Sequence, residues 1–259
     1  MNSLQDRGLR DGPAASAYVA APVRAPDGVS RLLGTHTGFD ALAQSLLTCA
    51  PGHSLAGETG ACEEVLFVVS GEGVLGLGGE RHALAPESGA YLAPGERYAL
   101  EAGGERALHV VGVRIPDPVP GTGAGDGERV TVRRLADQER EAATTEREFR
   151  IVADPASGLR SATHFVGYIP TLRAPEHFHT YDEVIYVLDG QGVMYVDGAH
   201  HPLTSGSSIQ LPARRVHCLE NTGETVMRIV AVFRPAGSPA EAYYPDGTPA
   251  YTPTGGGQR

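Results

Sequence analysis

The sequence predicts an all-β protein with two similar domains in tandem. The 259 residues include 34 Gly and 19 Pro, which favour short strands joined by tight turns over helices. Short apolar runs such as Val184–Leu188 lie between these turns, and one long segment of the chain is repeated. An apolar fraction of 41% and a charged fraction of 20% are typical of a globular protein with a buried core.

The repeat joins Glu63–Val74 to Asp182–Val193. Both segments pass from a pair of acidic residues through an apolar strand to a Gly-x-Gly turn. Glu64 and Glu183 are 119 residues apart (183 − 64), and Gly71 and Gly190 have the same spacing. Self-similarity over such a distance indicates duplication of one structural unit of roughly 100 residues.

The repeat and the local composition predict the domain organisation. Residues 1–38 form an N-terminal arm with leading strands, residues 39–115 the first domain, and residues 116–129 a Pro/Gly-rich linker. The second domain covers residues 130–236, in which residues 135–146 are expected to be a short charged helix or a loop. Residues 237–259 are rich in Pro, Gly and Tyr, and are expected to lie as an arm on a surface.

The charge balance excludes several kinds of partner and chemistry. A formal net charge of −10 disfavours nucleic acid and anionic membranes. All 21 basic residues are Arg, so Schiff-base chemistry, a pyridoxal phosphate anchor and a phosphate-loop lysine are excluded. Three Cys without a Cys-x-x-Cys pair indicate no disulfide framework. Without a transmembrane run or a signal peptide, the expected location is the cytoplasm and the expected partner a small-molecule substrate, with a homodimer left open.

The strongest chemical pattern is His177-x-His179-x3-Glu183-x6-Gly190. Side chains in an extended segment repeat with a period of two residues, so both histidines point the same way. Two imidazoles and a carboxylate presented together suit a divalent transition metal.

A second pattern follows a hairpin, Gly206-x5-Pro212-x-Arg214-x2-His217-x3-Asn221. Together the two patterns resemble the two-part motif of the cupin superfamily, with Arg214 where that family usually has Gly. The resemblance implies two jelly-roll β-barrels in tandem, a bicupin, with His177, His179, Glu183 and His217 as metal ligands. Mn²⁺ or Fe²⁺ is the favoured metal, and Ni²⁺, Cu²⁺ and Zn²⁺ are the alternatives.

The first repeat lacks these ligands. The offset of 119 places Glu58 and Gly60 opposite the first two histidines, and Tyr98 or Ala99 near the third. Because Glu64 alone is retained, the first domain is expected to be a degenerate cupin that binds no metal.

Pocket residues are predicted from strand parity. His164 and Tyr168 share one face of the strand before the motif, and Gln210 lies on a hairpin strand; these three are the candidate catalytic residues. Arg173 and Arg214 flank the motif and are the candidates for binding a substrate carboxylate, since a guanidinium binds a carboxylate through two parallel hydrogen bonds.

The layout also resembles that of the bicupin (S)-ureidoglycine aminohydrolases. That family, however, has Glu, His, His and Gln at the four ligand positions. The predicted function is therefore broader: a metal-dependent enzyme of hydrolase, lyase or isomerase type, with the metal as Lewis acid, acting on a small polar carboxylate metabolite. The alternatives are an Fe-dependent cupin dioxygenase and a non-catalytic bicupin that binds a small molecule.

Overall fold

The computed structural model describes residues 16–23, 27–118 and 129–250. These residues form twenty β-strands, and their helices are three short 3₁₀ turns at Thr35–Thr37, Leu135–Asp137 and Pro155–Ser157. None of the helices in these ranges is long and apolar enough to cross a membrane. In chain order the strands are β1 (Tyr18–Ala20), β2 (Gly28–Leu33), β3 (Ala43–Cys49), β4 (Ser54–Glu58), β5 (Glu63–Ser70), β6 (Gly73–Leu77), β7 (Glu80–Leu84), β8 (Ser88–Leu92), β9 (Arg97–Ala102), β10 (Leu108–Ile115), β11 (Val132–Arg134), β12 (Glu141–Ala142), β13 (Glu148–Ala153), β14 (Thr163–Ile169), β15 (Asp182–Asp189), β16 (Gln191–Val196), β17 (Ala199–Thr204), β18 (Ser208–Leu211), β19 (His217–Asn221) and β20 (Met227–Arg234).

The strands build two barrels, each made of a large and a small antiparallel sheet. In the first barrel, a sheet of order β11-β8-β5-β10-β3-β2 faces a sheet of order β4-β9-β6-β7. In the second, a sheet of order β1-β18-β15-β20-β14-β13-β12 faces a sheet of order β17-β16-β19. The predicted all-β fold with two tandem jelly-roll barrels is confirmed.

The two barrels pack against each other through their large sheets. Strand β15 packs on both of its faces, one toward the core of its own barrel and one toward the first barrel. Ile185 and Val187 point into the core of the second barrel, while Val184 and Tyr186 join a cluster that also contains Phe67 of the first barrel. Because both faces of β15 are buried, its sequence is a continuous apolar run and does not alternate.

Polar contacts also link the barrels. Arg228 donates to Asp189 in its own barrel and to Glu87 in the first. The carboxylate of Glu63 accepts hydrogen bonds from the backbone N–H groups of Arg160 (2.9 Å) and Ser161 (3.1 Å). Charge-assisted bonds of this kind hold the relative position of two elements more firmly than neutral ones.

Each large sheet includes an edge strand from the opposite part of the chain. Strand β1 pairs with β18 of the second barrel, and β11, which follows the predicted linker, pairs with β8 of the first. Residues 119–128 of that linker, residues 1–15 and 24–26 of the predicted arm, and residues 251–259 of the predicted tail lie outside the described residues. The domain boundaries stay a prediction.

Candidate metal centre

Three histidines meet inside the second barrel. His177 and His217 face each other across an antiparallel bridge, with N···O distances of 3.0 and 2.8 Å between their backbones. His179 follows two residues after His177 and therefore points the same way. One ligand nitrogen from each ring lies within 4.8 Å of the others. The structure thus brings together three of the four residues predicted as ligands.

Each imidazole is held by its Nδ1 atom. Nδ1 of His177 lies 2.8 Å from the carbonyl oxygen of Pro175, that of His179 2.7 Å from the oxygen of Glu241, and that of His217 2.8 Å from the oxygen of Arg215. A carbonyl only accepts, so each Nδ1 carries the proton and each Nε2 keeps its lone pair. Metal-ligating histidines typically donate their other ring N–H to a carbonyl or carboxylate in this way.

Burial keeps the three rings uncharged. Loss of hydration lowers the pKa of His177 to about 4 and that of His179 to about 3, and holds the pKa of His217 well below its ordinary range. Neutral imidazole is the form that binds a metal ion. The donor set therefore fits a divalent transition metal held by His177, His179 and His217.

Glu183 lines the same cavity from β15. Its carboxylate lies outside the group of three nitrogens that are within 4.8 Å of one another. Burial raises the pKa of Glu183 to about 8, and the attraction of Arg147 offsets part of this shift. Its role as a fourth ligand stays a prediction.

The cavity around these residues is small, and both polar and apolar groups line it. It has a volume of about 70 Å³. Six apolar side chains contribute to its lining: Phe165, Ile169, Ile185, Met194, Leu219 and Ile229. Tyr181 stacks between the rings of His179 (4.6 Å between centroids) and Phe233 (3.9 Å).

The C-terminal segment covers one side of this cavity. Tyr243 pairs with Phe178 by backbone hydrogen bonds of 2.8 and 3.0 Å, and their rings stack at 5.7 Å. Pro239 and Ala242 line the cavity, and Glu241 supplies the carbonyl that holds His179. Residues 239–243 therefore form part of the site's wall.

Arg147 is a cavity residue that the sequence interpretation missed. It precedes β13 and follows the segment predicted as a charged helix or loop, which contains only the 3₁₀ turn and the short strand β12. Its Nη2 donates to the carbonyl oxygen of Leu219 at 2.7 Å, and its side chain lines the cavity beside the histidines. Burial lowers the pKa of Arg147 to about 10, so the guanidinium stays charged at neutral pH.

Of the three candidate catalytic residues, only Tyr168 lines the cavity. His164 packs edge-on against Phe67 of the first barrel, with 6.0 Å between centroids. Gln210 accepts a hydrogen bond from the hydroxyl of Thr37 at 2.6 Å, also at the contact between barrels. His164 and Gln210 therefore lie on the face of their strands that forms the interface between the barrels, and not on the face toward the barrel interior.

The two arginines predicted to bind a carboxylate lie outside the cavity. Arg173 is exposed, and its guanidinium stacks on the ring of Tyr195 at 4.0 Å. Arg214 is also exposed and has a positive φ of 65°. Its backbone N–H donates to the carbonyl oxygen of His179 at 2.7 Å. Arg214 thus supports the loop through its backbone and does not place its side chain among the residues that line the cavity.

The corresponding place in the first barrel is filled by a phenol. Strands β4 and β9 pair Gly57 with Tyr98, as His177 pairs with His217. The Tyr98 hydroxyl donates to the buried Glu64 carboxylate at 3.1 Å. A Cβ atom added to Gly57 would lie 2.3 Å from the Tyr98 ring, so this close approach requires glycine. The ladder therefore places Gly57 opposite Tyr98, one residue before the Glu58 predicted from the offset.

Comparison with known proteins agrees with this architecture. Residues 164–233 match the family model described as Cupin domain, and this segment contains all four predicted ligands. The second barrel is thus a cupin domain.

Two curated relatives match short segments. An auxin-binding protein of Nicotiana tabacum is 31% identical over 80 residues, which is 26% of this chain and 43% of the relative. Protein SchB of Streptomyces halstedii is 36% identical over 62 residues, which is 24% of this chain and 45% of the relative. The chain spans less than half the length of these curated relatives.

Solved structures are similar over most of the chain. Protein Ylba of E. coli has a TM-score of 0.69 at 14% identity, covering 86% of this chain and 92% of that one. A putative glyoxylate-induced protein of Pseudomonas aeruginosa has a TM-score of 0.70 at 18% identity, covering 87% and 92%. A variant of Bacillus subtilis oxalate decarboxylase has a TM-score of 0.63 at 15% identity, covering 82% and 74%. At such identities the likeness establishes the fold, a tandem cupin, alone.

Proposed function

We propose that this protein is a metal-dependent tandem-cupin enzyme of hydrolase, lyase or isomerase type that acts on a small carboxylate-bearing metabolite. The proposal is carried by one observation: three uncharged imidazoles converge with their Nδ1 atoms fixed, so their Nε2 atoms are preorganised as ligands. Mn²⁺ or Fe²⁺ is the proposed metal, and Glu183 is the proposed fourth ligand because it is the buried carboxylate of the same cavity.

The cavity limits the size of the substrate. A cavity must have a volume of at least about 10–15 Å³ to hold one water molecule. The cavity here, of about 70 Å³, therefore holds only a few non-hydrogen atoms. When bound, the metal would supply Lewis-acid polarisation of a substrate oxygen. The chain's own residues hold the metal, orient a short substrate against apolar walls and exclude bulk water.

Metal content is the first test. Protein purified without chelator should contain about one Mn or Fe per chain by mass spectrometry, as three or four protein ligands predict. His177→Ala should lose this metal, whereas His201→Ala, on strand β17 and away from the cavity lining, should retain it. Equal metal content in the two variants would contradict the proposed site.

The reaction class needs a second measurement. Short carboxylic acids are screened by thermal shift, and those that bind are incubated with metal-loaded protein with and without O₂. Turnover that does not depend on O₂ supports the proposed class. O₂ uptake on substrate addition would show the Fe-dependent dioxygenase, and tight binding without any turnover would show the non-catalytic bicupin; either result would replace the proposal.

A further inference from the structure

We propose that Arg147 is the group that binds the substrate carboxylate, and that the substrate is a short carboxylate with an apolar remainder. This inference rests on the proposed function, because it concerns the same cavity. It transfers to Arg147 the role that the sequence interpretation assigned to Arg173 and Arg214. Arg147 is a largely buried cation that has no ion-pair partner among the described residues.

Part of the Arg147 guanidinium has no hydrogen-bond partner. Nη2 donates to the carbonyl oxygen of Leu219, which anchors the side chain on β19. Nε is buried and has no hydrogen-bond partner. Throughout the described ranges, no carboxylate forms an ion pair with Arg147. A buried cation without a partner is costly, so residues of this kind are normally matched by an anion.

Glu183 does not fill this role. It attracts Arg147 electrostatically, but the two side chains form no ion pair. If Glu183 binds the metal, its charge is directed there. An external anion in the cavity is then the natural partner of Arg147.

The geometry of a guanidinium favours one class of anion. Its planar N–H groups match a carboxylate, which can accept two parallel hydrogen bonds. Of the other groups in the lining, the carboxyl groups of Glu148 and Glu183 cannot pair with a second carboxylate, and the six apolar side chains suit an apolar remainder. These two features together specify a short monocarboxylate with an apolar remainder.

Propionate and propionamide are suitable probes because they have nearly the same shape but differ in charge. Binding of each is measured by isothermal titration calorimetry with metal-free protein. Propionate should bind to the unmodified protein more tightly than propionamide does. Arg147→Met should weaken propionate binding about 10- to 100-fold, the loss expected for a charged hydrogen-bonded contact, and should leave propionamide binding nearly unchanged.

Arg173→Met and Arg214→Met are the matched controls, because each removes a guanidinium that lies outside the cavity. Both should bind propionate as the unmodified protein does. Arg147→Lys keeps the positive charge without the planar fork, and should give an intermediate affinity. Unfolding midpoints without ligand show whether each variant folds. If Arg147→Met is unfolded, Arg147→Lys decides, and unchanged propionate affinity in the folded variant overturns the inference.

The inference and the proposed function fail in different ways. If propionate binds in an Arg147-dependent manner but no metal or turnover is found, the carboxylate site stands and the metal enzyme does not. If metal and turnover are found but Arg147→Met has an unchanged KM, the enzyme stands and the assignment of Arg147 is overturned.

Discussion

The two barrels have the same backbone pairing at one position but differ in the side chains that occupy their centres. In the second barrel, His177 and His217 face each other and leave their Nε2 atoms for a ligand. In the first, Tyr98 lies over Gly57, and its hydroxyl donates to Glu64. Both barrels retain a buried glutamate at the same position of the repeat, Glu64 and Glu183. At the same place in the fold, a phenol therefore fills the centre of the first barrel, whereas the second barrel presents imidazole nitrogens there.

The largest expected effect comes from giving the second barrel the residue of the first. His217→Tyr removes one ligand and places a phenol in the cavity. The apparent metal affinity should therefore fall by more than about 100-fold, because loss of a group that only hydrogen-bonds to a ligand already costs about 10- to 100-fold. Metal competition titrations measure this change. The reverse variant, Tyr98→His, should leave the metal content per chain unchanged. Unchanged metal affinity in the His217→Tyr variant would contradict the role of His217 as a ligand.

A smaller effect is expected from the phenol of the first barrel. Tyr98→Phe removes the donor to the buried Glu64 and should lower the free energy of unfolding by about 1–3 kcal/mol. Urea unfolding measures this loss. Tyr91→Phe is the matched control, because Glu63 keeps two backbone donors when the Tyr91 hydroxyl is removed. Tyr91→Phe should lower the free energy of unfolding by less than Tyr98→Phe does. Equal decreases would contradict the assigned importance of the hydrogen bond from Tyr98 to Glu64.

The glutamate of the first barrel should make stability depend on pH. Burial raises the pKa of Glu64 from its ordinary value of 4.5, against the attraction of Arg114 and the hydrogen bond of Tyr98. The folded state therefore holds the proton more tightly than the unfolded state, and this contribution to stability is lost as pH rises above about 4.5.

Glu64→Gln should remove that dependence and raise the unfolding midpoint at pH 8. The measurement is thermal unfolding between pH 4.5 and 8. Glu101→Gln should act in the opposite direction, because Arg81 lowers the pKa of the exposed Glu101 carboxylate. A Glu64→Gln variant with the pH dependence of the original protein would contradict the assignment.

The smallest expected effect concerns the turn before the third histidine. Gly95 and Arg214 occupy the same repeat position (214 − 95 = 119), and both have positive φ, 82° and 65°. A left-handed conformation costs a non-glycine residue roughly 1–2 kcal/mol, while glycine loses more backbone entropy on folding. Arg214→Gly should therefore stabilise the protein by about 0.5 kcal/mol and leave metal affinity unchanged. Gly95→Ala should be destabilising, and a destabilised Arg214→Gly variant would indicate that the Arg214 side chain contributes contacts.

The sequence predicts well those features that are encoded locally. The offset of 119 predicts the duplication, and the spacing of His177, His179 and His217 predicts which imidazoles meet, because strand period and a motif resemblance suffice for both. The sequence does not predict which face of a strand points into the barrel. In the large sheet both faces are buried, so the sequence pattern does not tell whether His164 or Gln210 points into the barrel.

Arg147 shows a second limit. It follows a polar segment without periodicity, and its anchor, the carbonyl oxygen of Leu219, is 72 residues further along the chain. Every residue has a backbone carbonyl, so the type of residue at position 219 does not reveal this long-range contact. A buried guanidinium can be recognised only once the barrel is closed around it.

The exchange of β1 and β11 has a consequence for the order of synthesis. The β8 edge of the first barrel is completed by Val132–Arg134, which leaves the ribosome only after that barrel's other strands. Tyr18–Ala20 is synthesised long before its pairing partner, β18 of the second barrel. Neither sheet can close its edge while half of the chain is still missing, and an unpaired sheet edge is prone to aggregate. We therefore expect the incomplete chain to be prone to aggregate at that stage.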